Sequence, residues 1–203
     1  PITDYTMNQY QYRAVFTNSF GQVSTNIASL YVSFAPVITS EPNSTVVNAG
    51  SGASFTAAAD LANPPSPSIQ WQLSTDGGTS WTPIPGAILG MYQTPTTTPT
   101  MNQYQYRAVF TNAVGSSVSS VATLVVHFSP TVDLQPASVA VSNGQPFSMM
   151  SNATGNPVPS VQWFVSTNGG ATWNAVPGAT NNTFNSIATS QLEQAQLRAV
   201  FNN

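Results

Sequence analysis

The sequence predicts an all-β protein built of tandem antiparallel β-sandwiches, and three observations carry that prediction. The first is internal repetition. The twelve residues MNQYQYRAVFTN at Met7–Asn18 return unchanged at Met101–Asn112, and LRAVFNN at Leu197–Asn203 is a third, diverged copy. QWQLSTDGGTSWTPIPGA at Gln70–Ala87 returns as QWFVSTNGGATWNAVPGA at Gln162–Ala179, so the repeating unit is about 93 residues long. The second observation is period-two alternation of apolar residues, which is the pattern of a half-buried strand. The third is punctuation: Gly, Pro and Asn clusters interrupt these runs at roughly every 8–12 residues, and no 3.6-residue stripe with helix caps appears.

The elements follow in order along one unit. Ile69, Trp71 and Leu73 form an alternating run. Asp76–Gly78 in the first copy and Asn168–Gly170 in the second sit between strand patterns, where positive φ is wanted, and read as hairpin turns. Tyr106, Ala108 and Phe110 alternate next, which turns Arg107, Val109 and Thr111 outward on the sheet surface that also carries Gln70 and Gln72. Val121–Phe128 closes the unit; broken by Thr123 and His127, it falls far short of the ~20 residues of a membrane-spanning helix. Phe34-Ala35-Pro36 and Phe128-Ser129-Pro130 are short, proline-containing linkers, which predicts stiff coupling between consecutive units.

Composition then removes whole classes of function. Of 203 residues 41% are hydrophobic, enough for a core, but only 4% are charged, against roughly 25% in average proteins. There is no lysine; the cations are Arg13, Arg107 and Arg198, one equivalent position seen three times, and the acids are Asp4, Glu41, Asp60, Asp76, Asp133 and Glu193. Three scattered arginines cannot neutralise a phosphate track, which argues against nucleic acid as a partner, and they form no polybasic membrane contact. The absence of cysteine excludes disulfides, thiol nucleophiles and zinc–thiolate sites within this segment. Without Lys or Cys, neither Lys–Asn crosslinks nor thioesters can form here.

The arrangement of Gly52, Phe55 and Ala57, then Pro65 and Pro67, then Trp71, and later Tyr106, Ala108, Phe110, Asn112 and Gly115 resembles a bacterial-type, cysteine-free immunoglobulin-like domain of the intermediate set. The resemblance implies that Trp71 and Trp163 are the buried strand C tryptophans. It also implies that Tyr12 and Tyr106 are tyrosine-corner residues on strand F, with Leu197 in that place in the last unit. The places of the family's two cysteines then hold Ala57 with Ala108, and Met149 with Ala199, while Ala14 stands in the first copy. On this register residues 1–34 hold the last two strands, F and G, of one unit; residues 35–128 make a complete unit; and residues 129–203 make a unit lacking its last strand. The expectation is a window of a longer tandem array, the alternative being an open end that accepts a strand from another chain.

Ser74, Asp76, Gly78, Ser80 and Trp81 fit S-x-D-x-G-x-[ST]-W, the pattern of the hairpin in sialidase-type propellers, and Ser166, Asn168, Gly170, Thr172 and Trp173 nearly repeat it. A sialidase needs an arginine cluster, and the arginines here lie in three different repeats. The alternative is a tight hairpin in which Asp or Asn bonds nearby amides and the Trp packs beneath. His127, the single histidine, cannot build a triad or a multi-histidine metal site. Asp60 and Asp76 fall at opposite poles of the expected sandwich, too far apart for glycoside hydrolysis. Asp133 alone near the second linker offers little to calcium, which wants roughly six to eight oxygens. Asn43, Asn152 and Asn181 head glycosylation sequons, and Thr94–Thr100 is threonine-rich.

The expectation is therefore a non-enzyme without cofactor or metal: an extracellular or cell-surface structural repeat that self-associates into a stalk, fibre or sheath. Its low charge removes repulsion between neighbouring chains. Arg13, Arg107 and Arg198, with Phe164 outward where Gln72 stands one repeat earlier, mark a possible assembly face; an ordinary polar face with Arg lying over its neighbours is the competing reading. The alternatives are an adhesin for a glycan or receptor, and spacer domains of a secreted enzyme.

Overall fold

A computed structural model describes residues 5–60 and 66–203, so Asp4 and Pro65 lie outside the described residues. Among the described residues its elements are twenty strands and three single 3-10 turns. The chain falls into two compact units, Pro1–Val125 and Val126–Asn203.

The first unit opens with an antiparallel ribbon. β1 (Gln11–Tyr12) and β2 (Val15–Asn18) pair with β4 (Ala28–Ser29) and β3 (Gly21–Ser24), respectively. The sandwich follows. β5 (Ile38–Ser40) pairs with β8 (Ala58–Ala59), and β7 (Ser54–Thr56) pairs with β11 (Met91–Gln93). The facing sheet is centred on β9 (Ser68–Ser74), flanked by β10 (Thr82–Pro83) and β12 (Gln105–Thr111). β12 also pairs with β13 (Ser116–Val118) and with the first residues of β14 (Ala122–Leu134), which in turn meets β6 (Thr45–Asn48).

Alternation explains the core. Along β12 the even positions Tyr106, Ala108 and Phe110 are 1%, 0% and 1% exposed, while Arg107 and Val109 between them are only half-buried. Trp71 on β9 is fully buried directly across from Ala108, and its indole Nε1 donates to the Leu89 carbonyl at 2.8 Å. Phe55 stacks on Tyr106 with ring centroids 4.5 Å apart, and Tyr92 lies tilted 5.6 Å from Tyr106. Ala57, at 3% exposed, completes this face. Burial pushes the Tyr106 phenol pKa up, as expected of a hydroxyl held away from water.

The second unit repeats the plan. β15 (Pro146–Met150) pairs with β19 (Thr183–Ile187); β17 (Ser160–Ser166) pairs with β18 (Asn174–Ala175) and β20 (Gln196–Asn202); and β16 (Asn152–Asn156) pairs with the later residues of β14. Trp163 is fully buried opposite Ala199 and donates to the Asn181 carbonyl at 2.8 Å. Phe147, Met149, Leu197 and Ala199 pack as half-buried residues around Val161, Trp163 and Phe184. Among these, Leu197 replaces the Tyr106 ring, and Phe147 instead contacts Phe184 at 6.0 Å.

Two findings modify the sequence reading. Tyr12, expected in a core, is 49% exposed, although its twelve-residue neighbourhood is identical to that of Tyr106. Burial is supplied by partner strands, and among the described residues nothing like β9 lies over the β1–β4 ribbon. The sequence also gave no sign of a 3-10 turn ahead of each copy of the repeated strand: Tyr5–Met7, Pro99–Met101 and Ser190–Leu192. Each is followed by a glutamine with positive φ: Gln9 at 67°, Gln103 at 69° and Gln194 at 58°. The left-handed conformation costs an L-residue roughly 1–2 kcal/mol. Gln103→Gly should therefore stabilise the first unit by about 0.5–1 kcal/mol, net of the extra freedom that glycine gives the unfolded chain. Urea denaturation checks this, and a lower midpoint would contradict the strain assigned here.

Candidate functional site

The outward face of β9 and β12 carries the chain's most distinctive side-chain constellation, and it is built around the hairpin leaving β9. Ser74, the last residue of β9, is 1% exposed and turns its hydroxyl into the loop. That hydroxyl donates to Asp76 Oδ1 at 2.7 Å and accepts the Gly78 amide at 2.8 Å. Asp76 Oδ1 also accepts the Ser80 amide at 2.9 Å, and its Oδ2 accepts the Ser80 hydroxyl. The Ser80 hydroxyl, then the Ser80 amide and the Ser74 hydroxyl hold the Asp76 carboxyl down at a pKa of about 2. Every bond stabilises the charged form, so the carboxylate is a structural acceptor.

The chain then bends back onto the sheet. Gly78 sits at φ +91°, a conformation that favours glycine, and the Gln105 side-chain oxygen lies 2.9 Å from where its Cβ would be. Trp81 donates its Nε1 to the Gly78 carbonyl at 3.1 Å. Over its ring lies the Arg107 guanidinium, 4.1 Å from the centroid, while Arg107 Nε donates to Gln72 Oε1 at 2.8 Å. Arg107 on β12 thus meets the hairpin at its tryptophan, and Gln105, two residues earlier, lies beside its glycine.

The second unit reproduces this arrangement. Ser166 donates to Asn168 Oδ1 and accepts the Gly170 amide, both at 2.9 Å, and Asn168 Oδ1 accepts the Thr172 amide at 2.9 Å. Because Asn carries a donor where Asp has an acceptor, one bond reverses: Asn168 Nδ2 donates to the Thr172 hydroxyl at 2.8 Å. Trp173 Nε1 donates to the Gly170 carbonyl at 3.1 Å, and Arg198 lies 4.2 Å over the Trp173 ring and 5.8 Å from the Phe164 centroid. Phe164 is half-buried opposite Arg198 in the β17–β20 register.

The sequence motif therefore forms the tight hairpin that was one of its two readings. Sequence reasoning placed Arg107 beside Gln72, and the structure brings them into hydrogen-bond contact. It missed that Arg107 and Trp81 stack. The signal was present, since both motifs recur together, 92 and 91 residues on, but recurrence does not say that the loop folds back over the strand. Arg13 is exposed, between β1 and β2 of the N-terminal ribbon. Among the described residues no group of three or more His, Asp or Glu converges as a metal site, and no helix is long and apolar enough to cross a membrane.

Two measurements check this geometry. A double-mutant cycle of Arg107→Ala and Trp81→Ala should give a coupling of about 0.5–1 kcal/mol, as for a cation–π pair that stays partly wet; additive single costs would contradict the contact. The Asp76 carboxyl should titrate near 2, below its ordinary 3.8. A depressed folded-state pKa means its contribution is full above 3.8 and is lost as pH falls through 2. Carbon-detected NMR of Asp76 reads this directly, and a midpoint near 3.8 would remove the hydrogen bonds from the account.

Comparison with known proteins gives this geometry a context. A family model described as "Domain of unknown function (DUF8696)" matches residues 37–128. Endoglucanase C of Cellulomonas fimi is 43% identical over 117 residues, covering 57% of this chain and 10% of that protein. "Leucine-rich repeats and immunoglobulin-like domains protein 1" of Homo sapiens is 31% identical over 162 residues, covering 76% of this chain and 14% of that protein. The chain thus spans about a tenth to a seventh of the length of these relatives. Among solved structures, DIP-gamma IG1+IG2 aligns with a TM-score of 0.61 at 14% identity, covering 83% of this chain and 90% of that one. The N-terminal four Ig domains of Dscam1 isoform 6.9 align at 0.56 and 17%, covering 90% and 47%. With its paired antiparallel sheets, buried tryptophans and cysteine-free cores, the chain has the immunoglobulin-like β-sandwich fold.

Proposed function

We propose that this chain is a non-catalytic structural segment of a large extracellular or cell-surface protein, of bacterial type and intermediate-set character. Its tandem sandwiches build a stalk, fibre or sheath through contacts between domains. The observation that supports this is the double closure of the hairpin constellation. In one unit Arg107 lies over Trp81 while Asp76 takes its bonds from Ser74 and Ser80, and in the other Arg198 lies over Trp173 while Asn168 bonds Ser166 and Thr172. A general acid, a nucleophile or a substrate anchor needs a polar group directed at an open space. Here the same groups lock a loop to a sheet, which stiffens a repeat.

A second reading has one specific observation in its favour. Matching so small a part of a much longer protein called Endoglucanase C suits a spacer domain in a secreted enzyme, with the chemistry carried elsewhere. Both readings need rigid, inert sandwiches; they differ in whether the sandwiches meet other copies.

Electron microscopy of the intact parent protein separates them. The structural reading predicts ordered fibres or sheets with a spacing of one or two domains. Monodisperse, unassociated rods would overturn assembly and favour the spacer, while saturable binding of a glycan or receptor to the isolated chain would favour an adhesin.

A further inference from the structure

The two linkers are held by the same side chain of the sandwich that follows them. Asn112, in the turn between β12 and β13, accepts the Val114 and Gly115 amides on Oδ1 at 3.0 and 3.2 Å, which closes the turn. This orients Nδ2 away from the turn, and Nδ2 donates to the Phe34 carbonyl at 2.8 Å. Ser117 adds a bond to the Pro36 carbonyl at 2.6 Å, and a Cβ on Gly115 would sit 3.4 Å from that of Ala35. In the second unit Asn203, at the equivalent position after β20, donates from Nδ2 to the Phe128 carbonyl at 2.9 Å and to the Pro157 carbonyl at 2.7 Å. Gly155 makes room there: a Cβ would meet Asn203 Nδ2 at 2.9 Å and Pro130 Cα at 3.3 Å. Phe34-Ala35-Pro36 and Phe128-Ser129-Pro130 share the pattern Phe-Xaa-Pro. The proline has no amide to offer a ladder, so the main chain presents carbonyls here, and a side-chain amide is their natural complement.

We propose that this asparagine is a junction clamp: it recognises the carbonyl two residues before the linker proline and fixes a Phe-Xaa-Pro segment onto the following sandwich. The clamp and the turn are coupled, because the same side chain closes one with its oxygen and holds the other with its nitrogen. Asn18 is the third copy. It closes its own turn through the Phe20 and Gly21 amides at 2.9 and 3.1 Å.

The test uses Asn112→Asp in the full chain, which keeps the Oδ1 acceptor and removes the Nδ2 donor. Residual dipolar couplings are measured for the β1–β4 ribbon and for β9 and β12. In the wild type both sets should fit one alignment tensor; in N112D the ribbon couplings should fall to less than half while those of β9 and β12 persist. Asn18→Asp should leave both sets unchanged. A single tensor retained in N112D, or a ribbon equally loosened by Asn18→Asp, overturns the clamp. A measurement without mutation stands beside these: the wild-type Asn112 side-chain amide must show nuclear Overhauser contacts to Phe34 or Ala35, and their absence also overturns it.

Discussion

The register that sets Trp71 opposite Ala108, and Trp163 opposite Ala199, is the constraint from which the rest of each sandwich follows. Side chains alternate with period two, so a slip of one residue would exchange every inward group for an outward one. With the register as it stands, a large indole faces a methyl group across the strand pair, and the core closes without the disulfide that immunoglobulin domains place here. The fit is tightest in the first unit, where Phe55, Tyr92 and Tyr106 pack with Trp71. In the second unit Leu197 and Met149 do the same job with softer, more adaptable shapes.

The outward consequences are as definite as the inward ones. If Ala108 points in, Arg107 points out beside Gln72, and the hairpin that begins at Ser74 returns close enough for Trp81 to lie under the guanidinium. The hairpin's own geometry comes from small residues: a buried serine, a carboxylate or amide acceptor, and a glycine where a side chain would strike Gln105. Three strands further on, in sequence terms a short distance past the arginine, the turn asparagine meets the linker. A chain with so few charges has put two of its three cations, Arg107 and Arg198, and the acid Asp76 into contacts within single sandwiches.

Much of this was legible in the sequence, and the limit has a physical cause. Alternation identifies Tyr106, Ala108 and Phe110 as inward from the strand period, and the family resemblance adds Trp71 and Trp163. Pairing Arg107 with Trp81 needs the path of a loop, which depends on glycine conformations and on what the loop lands on. The left-handed Gln9, Gln103 and Gln194 carried no local signal, since glutamine has no preference for positive φ. Tyr12 and Tyr106 make the sharpest case: twelve identical residues have opposite surroundings, because burial depends on strands distant in sequence. The clamp by Asn112 and Asn203 was hidden for the same reason, although the motif Phe-Xaa-Pro stood in both linkers.

The proposed structural role rests on internally bonded sandwiches, and those rest on the strand register. Nuclear Overhauser contacts in the intact chain test the register most directly. The account predicts that the Ala108 methyl contacts the Trp71 indole while the Arg107 side chain contacts Trp81, with the matching pairs Ala199–Trp163 and Arg198–Trp173 in the second unit. Contacts from Arg107 to Trp71, or from Ala108 to Trp81, would contradict it.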